Sequence, residues 1–258
     1  MKHTPELFET SPEPKIKVST SEGQRELDIY APEGYQVLAN LFTRSGWQQR
    51  VSYEPTWLGI PIIQTPEDIV MMQELLWKVR PDVVIECGVA HGGAIVLYAS
   101  ILELLGKGHV IGVDVEIRKY NRIALQSHPL SKRYTLIEGS SIEDATLDQV
   151  RSHIQPDDTV LVTLDSNHTK AHVAGELAMY APLVTPNSYV VVFDGVMQVL
   201  TDAPGGNPTW DEDNPWQAIE DFLAENDEFE IDPYYNRLKV THCPGGFLRR
   251  VKKRSRET

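Results

Sequence analysis

Cysteine, basic charge and long apolar runs are all scarce in this chain. Only two of its 258 residues are cysteines, Cys87 and Cys243, and they form no Cys-x-x-Cys pair. That excludes a disulfide framework and offers no zinc or dithiol redox motif. No apolar stretch approaches the roughly 18 residues of a membrane span. Acids outnumber bases 37 to 24, giving a net charge of -13. An acidic surface argues against general binding to nucleic acid or to an anionic membrane. The C-terminus is the exception: six of the eight residues from Arg249 to Arg256 are basic. A short cationic end of this kind reads as a solvated tail. Met1 to Pro14 is polar and proline-rich with no signal-peptide core, so a cytoplasmic protein is expected.

What is present fits a globular enzyme. With 41% hydrophobic and 24% charged residues, the composition is ordinary, and the length suits one large α/β domain with an N-terminal extension. The extension is expected over residues 1–64, mobile over 1–27. Over 28–64 the aromatics Tyr30, Tyr35, Phe42, Trp47, Tyr53 and Trp57 should pack on the core or cover an active-site edge. The main domain is expected over 65–251 and a basic tail over 252–258. The aromatic-rich segment is also a candidate surface for a homo-oligomer.

The main domain alternates helix and strand. Thr65 is a good N-cap, Pro66 suits the first helical position, and Ile69, Met72, Leu76 and Val79 recur at helical spacing until Pro81. Short apolar strands are expected at Val83–Glu86, His109–Val113, Tyr134–Ile137, Val160–Leu164 and Ser188–Phe193. Between them, helices are expected from Gly92 to Leu105, near Leu147–Ile154, and from His168 to Tyr180. This pattern means a mostly parallel sheet covered on both faces. Gly195 opens a long loop to about Asn214, a candidate lid. A helix follows from Pro215, and Leu238–His242 with Phe247–Val251 reads as a closing β-hairpin.

The chemistry concentrates at the strand ends. Val83-Val84-Ile85-Glu86-Cys87-Gly88 runs into a Gly92-Gly93 helix start. Glycines let a ligand approach the backbone, and helix N-terminal amides bind polar groups. The spacing Glu-x-Gly-x-x-x-Gly-Gly is not the dinucleotide fingerprint Gly-x-Gly-x-x-Gly. Glu86 would repel a pyrophosphate but suits a cationic sulfonium–amino acid. Asp114, ending the second strand, can accept ribose hydroxyls, and Ser141 after the third can meet an adenine edge. His91 in the glycine turn is a further contact candidate. Asp165 and Asp194 end the fourth and fifth strands, where two carboxylates can converge on Mg²⁺. His168, three residues after Asp165, is placed for a general base. The bland readings are tight turns, strand-end carboxylates that cap loops, and a helix-start histidine. A His168–His172 metal pair lacks a third soft ligand. The acidic Trp210-Asp211-Glu212-Asp213 run suits either a sugar-like acceptor or plain solvation.

Trp57-Leu58-Gly59-Ile60-Pro61, Thr65-Pro66-Glu67-Asp68, Ile85-Glu86-Cys87-Gly88 and Pro244-Gly245-Gly246-Phe247-Leu248 together resemble the cephalosporin hydroxylase/rhamnosyl O-methyltransferase family, over about residues 50–251. The resemblance implies a Rossmann-like class I methyltransferase fold with a seven-stranded sheet and an antiparallel C-terminal hairpin. It implies S-adenosylmethionine at Glu86, Gly88, Asp114 and Ser141, and a metal near Asp165 and Asp194. Two departures stand out. Catechol-type relatives carry lysine where this chain has His168, and two adjacent metal-binding residues where it has only Asp194, between Phe193 and Gly195.

The expected activity is therefore O-methylation of a sugar or glycosylated natural product, with Asp165 and His168 as catalytic residues. A non-catalytic, cofactor-binding accessory to a tailoring enzyme is the alternative. A nucleotide-dependent oxidoreductase ranks third because of the glycine spacing and Glu86.

Overall fold

The computed structural model describes residues 15–20 and 23–251; the expectations for Met1–Pro14 and for the 252–258 tail lie outside them. Within the extension two strands are paired. β1 (Lys15–Thr20) pairs antiparallel with β2 (Gly23–Asp28). Ile16 and Val18 alternate with lysines, a strand pattern, and Lys17 lies 3.4 Å from Glu26 across the pair. α1 (Pro32–Gln48) follows, with Pro32 at its first position. It is largely exposed and buries only Gly34, Ala39 and Thr43. The short pair β3 (Thr56–Trp57) and β4 (Ile60–Pro61) leads to α2 (Pro66–Val79). The Thr65 hydroxyl caps α2 by accepting from the Asp68 amide at 3.3 Å.

The core then alternates strand and helix: β5 (Val83–Cys87), α3 (Gly93–Leu105), β6 (His109–Asp114), α4 (Lys119–Gln126), β7 (Tyr134–Glu138), α5 (Asp144–Arg151), β8 (Val160–Leu164), α6 (Lys170–Tyr180), β9 (Tyr189–Val192), α7 (Pro215–Glu225), β10 (Phe229–Ile231) and β11 (Phe247–Arg250). The seven-stranded sheet runs β10-β11-β9-β8-β5-β6-β7, antiparallel only where β11 meets its two neighbours. Every residue of β5, β8 and β9 is buried. Each buried Val, Leu or Ile contributes about 1.5–3 kcal/mol, which explains the near-continuous apolar strands. Met72, Leu76, Ile95 and Tyr98 pack on one face. Leu147, Val173, Leu177 and Ile219 pack on the other. Among the described residues no helix is long and apolar enough to cross a membrane.

Two local expectations are corrected, and one helix is added. Leu238–His242 is not a strand; β11 pairs instead with β10, so residues 232–246 form a loop that can reach the sheet's carboxyl end. Helix α4 was not foreseen, because it is a mostly polar helix that buries only Asn121 and Leu125. His168 does not open α6. The helix starts at Lys170 behind Thr169, leaving His168 in the strand-end loop.

Candidate active site

Parallel strands β5, β6 and β8 deliver their carboxyl ends to one edge, and the order reverses at β5, which pairs with both β6 and β8. Ligands in open α/β sheets sit at such a switch point. The turn after β5 brings the chain against itself. Gly88 has φ +104°, and a Cβ there would overlap the Asp165 carbonyl; one on Gly93 would overlap Pro61 and Ile62. These two glycines are thus required by protein packing, whatever ligand approaches. Asp114 ties β6 to the same turn. Its Oδ2 accepts from the Val89 and Ala90 amides at 2.9 and 3.0 Å, and its Oδ1 from Glu116 N at 3.1 Å.

A cavity of about 200 Å³ opens beside this turn. Of the residues singled out in the sequence, Glu86, Gly88, His91, Asp165, His168 and Asp194 line it. Asp114 and Ser141 do not. Ser141 is buried under α6, donating to Glu176 Oε1 at 2.5 Å and lying 3.1 Å from His172 Nε2. Ser166 donates to the same Glu176 oxygen at 2.6 Å. His172 thus belongs to this second cluster and forms no pair with His168. The cavity also takes Trp47, Tyr53 and His242. Trp47 and Tyr53 are two of the six aromatics of the 28–64 segment expected to pack on the core or cover an active-site edge. His242 carries no sequence signal, because Leu238–His242 has the pattern of a strand.

At the cavity floor Asp165, His168 and Asp194 each offer a ligand atom, all within 4.8 Å of one another. His168 Nε2 lies 3.0 Å from Asp194 Oδ2 and 3.9 Å from Asp165 Oδ1, and His242 Nδ1 is 3.7 Å from Asp194 Oδ1. Asp194 sits in the left-handed region, φ 57°, an uncommon conformation for a non-glycine residue and one that concentrates at functional sites. Burial disfavours the His168 imidazolium, but Asp194 and then Asp165 outweigh it and hold the group at about 9. Burial, then the Asp194 charge, pushes Asp165 up to about 7. Asp194 goes the other way: burial would raise it, but the His168 cation draws it below the usual range.

Two groups with unmet needs face the same space. Glu86 is fully buried; Thr163 donates to its Oε2, while Oε1 makes no hydrogen bond among the described residues. Burial, and next the Asp165 charge, pushes its carboxyl well up. His91 Nδ1 is likewise buried and unpartnered. A buried acid that lacks a partner costs free energy that a cationic ligand can offset. A sulfonium or ammonium group is a ligand of that kind. Two strand-end carboxylates fit a hard divalent cation.

Residues 49–251 match the family model for rhamnosyl O-methyltransferase/CmcI. The chain belongs to this family. The rhamnosyl O-methyltransferase of Mycobacterium tuberculosis is 30% identical over 200 residues, 75% of this chain and 77% of that protein. Its Mycobacterium leprae counterpart is 28% identical over 200 residues, 75% of this chain and 82% of that one. Solved CmcI with Mg and SAM aligns with TM-score 0.54 at 18% identity, covering 78% of each chain. The MycE methyltransferase of mycinamycin biosynthesis, complexed with Mg, SAH and mycinamycin VI, aligns at 0.51 and 16% identity, over 84% of this chain and 56% of that one. The strand order and antiparallel β11 are those of the class I methyltransferase fold, as the resemblance implied. The family makes the chain an S-adenosylmethionine-dependent O-methyltransferase.

Proposed function

We propose that the enzyme methylates a hydroxyl of a sugar or sugar-bearing natural product with the help of Mg²⁺. The observation that carries this reading is the convergence of Asp165, His168 and Asp194 within 4.8 Å, beside the half-satisfied Glu86 carboxyl. Glu86, Gly88 and His91 would hold the amino-acid and sulfonium end of the cofactor. Asp114 keeps lone pairs for the ribose outside the small cavity, and the Ser141 loop borders the adenine side. Asp165 and Asp194 would hold Mg²⁺, whose chemistry is to orient an acceptor hydroxyl and lower its pKa.

His168 takes the acceptor proton. The His168 imidazole would be left free for that task beside a cation that prefers oxygen ligands. At neutral pH the Asp194 pair keeps His168 protonated, so the base becomes available only when the carboxylates' charge is engaged elsewhere. Trp47 and Tyr53, from the segment before residue 65, line the cavity and help exclude water around the acceptor. Alignment of the hydroxyl with the sulfonium methyl supplies much of the rate.

The test is calorimetric titration with S-adenosylmethionine, S-adenosylhomocysteine and NAD, with and without Mg²⁺. An acceptor screen over sugars and glycosides follows, with and without EDTA. Adenosyl ligands should bind and NAD should not. Cofactor binding with no turnover on any glycoside would overturn the sugar acceptor. Turnover untouched by EDTA would remove the metal.

A further inference from the structure

A second cavity, of about 630 Å³, falls within the roughly 300–1,000 Å³ of small-molecule sites. α1 supplies Gln36, Asn40 and Arg44, the turn after Asp194 supplies Gln198, α7 supplies Trp216, and the loop before β11 supplies Lys239. It adjoins the catalytic cavity through two peptides. Asp194 lines the catalytic space and Gly195 the larger one; His242 and Thr241 divide in the same way.

The lining has a chemical bias. No Asp or Glu is in it, although the chain carries 37 acids and a net charge of -13. Arg44 is already engaged, donating to the Val199 carbonyl at 2.5 Å and to Asp202 at 2.8 Å, which pins the rim to α1. Lys239 is exposed, and its ammonium makes no hydrogen bond or ion pair with the described residues. The side-chain amides of Gln36, Asn40 and Gln198 can both donate to and accept from hydroxyls. Trp216 offers a broad apolar face with one polar edge. Amides and an indole suit a sugar, and a cation that makes no ion pair with the described residues suits a negative substituent.

We propose that this cavity recognises the methyl acceptor and that the acceptor is an anionic saccharide, one bearing a carboxylate or a phosphate. Its role as an acceptor site rests on the methyl-transfer reading; the binding itself does not. The bulk of the saccharide occupies the larger cavity, and the reacting hydroxyl reaches past the Asp194–Gly195 and Thr241–His242 peptides toward His168.

The test is calorimetry on the full chain with glucuronate, glucose 1-phosphate, glucose and inorganic phosphate. At least one anionic sugar should bind roughly 10-fold tighter than glucose and than inorganic phosphate, and Lys239→Gln should remove most of that advantage. Which anionic sugar prevails distinguishes carboxylate from phosphate. Gln198→Ala should weaken glucose and the anionic sugars alike. Equal binding of charged and neutral sugars overturns the proposal, as does inorganic phosphate binding as tightly as the sugars, or a silent Lys239→Gln. S-adenosylmethionine is titrated into the same samples. Cofactor binding without sugar binding sinks this site alone; sugar binding without cofactor binding leaves it standing and sinks the methyl-transfer reading.

Discussion

His168 Nε2 stands 3.0 Å from Asp194 Oδ2, joining the loop after β8 to the end of β9. The pair fixes the protonation of both groups: His168 is held at about 9 and Asp194 below the ordinary carboxylate range. One side chain therefore governs whether the other is available for chemistry.

Replacing His168 by Gln removes the base while keeping a polar side chain of similar reach. Turnover should fall by about 10²–10⁴-fold, while S-adenosylmethionine affinity changes little. Asp165→Asn should instead weaken Mg²⁺ binding by more than about 10-fold and shift the metal concentration needed for half-maximal rate. Single-turnover kinetics with metal titration separates the two. Normal turnover in His168→Gln would take it out of the base role.

The same pairing makes metal-free stability depend on pH. His168 at about 9 lies above its unfolded 6.5, and Asp165 at about 7 lies above 3.8. Both groups bind their protons more tightly in the folded state. The stability they contribute is fully present below the unfolded values. It is lost as pH rises, through about 7 for Asp165 and about 9 for His168. In EDTA the protein should therefore melt lower at pH 9 than at pH 6.5, and His168→Gln should flatten the upper part of that fall. Partial exposure of His168 keeps the effect modest through solvent screening. A melting temperature that rises across this window would contradict the His168–Asp194 pairing.

The sheet was legible because β5, β8 and β9 are buried on both faces and so read as unbroken apolar runs. Glu86, Asp114, Asp165 and Asp194 were legible because strand-end carboxylates punctuate those runs. The rest depends on contacts distant in sequence. β11 takes Phe229–Ile231 as its partner through an edge pairing that no local periodicity encodes. That choice frees the loop carrying His242 to reach Asp194. α4 escaped because its face toward the core is only Asn121 and Leu125. Ser141 carried a plausible role from its position alone, and only the fold shows it bonded to Glu176.

Asp114 serves two purposes, which substitutions can separate. Asp114→Ala removes the acceptor for the Val89 and Ala90 amides together with any ribose contact. Asp114→Asn retains one oxygen for the amides. The alanine variant should weaken S-adenosylmethionine binding by roughly 10-fold or more, in line with about 1.5–3 kcal/mol for hydrogen bonds to a charged group. It should also lower the melting temperature, whereas the asparagine variant should lose affinity with less loss of stability. Unchanged affinity in both would end the ribose assignment.

Gly88→Ala tests whether the glycine turn is built for packing or only for a ligand. A methyl at this position would overlap the Asp165 carbonyl, and the backbone there has φ +104°, a region that alanine enters only under strain. Overpacking and strain together put the cost at about 3 kcal/mol. For a chain of this size that is a fall of roughly 6–12 °C in melting temperature, measurable without any cofactor present. Because the clash pushes on the Asp165 backbone, Mg²⁺ affinity should drop in the same variant. If Gly88→Ala melts like the parent and loses only cofactor binding, the residue is glycine for the ligand's sake, and the contact with Asp165 can relax at little cost.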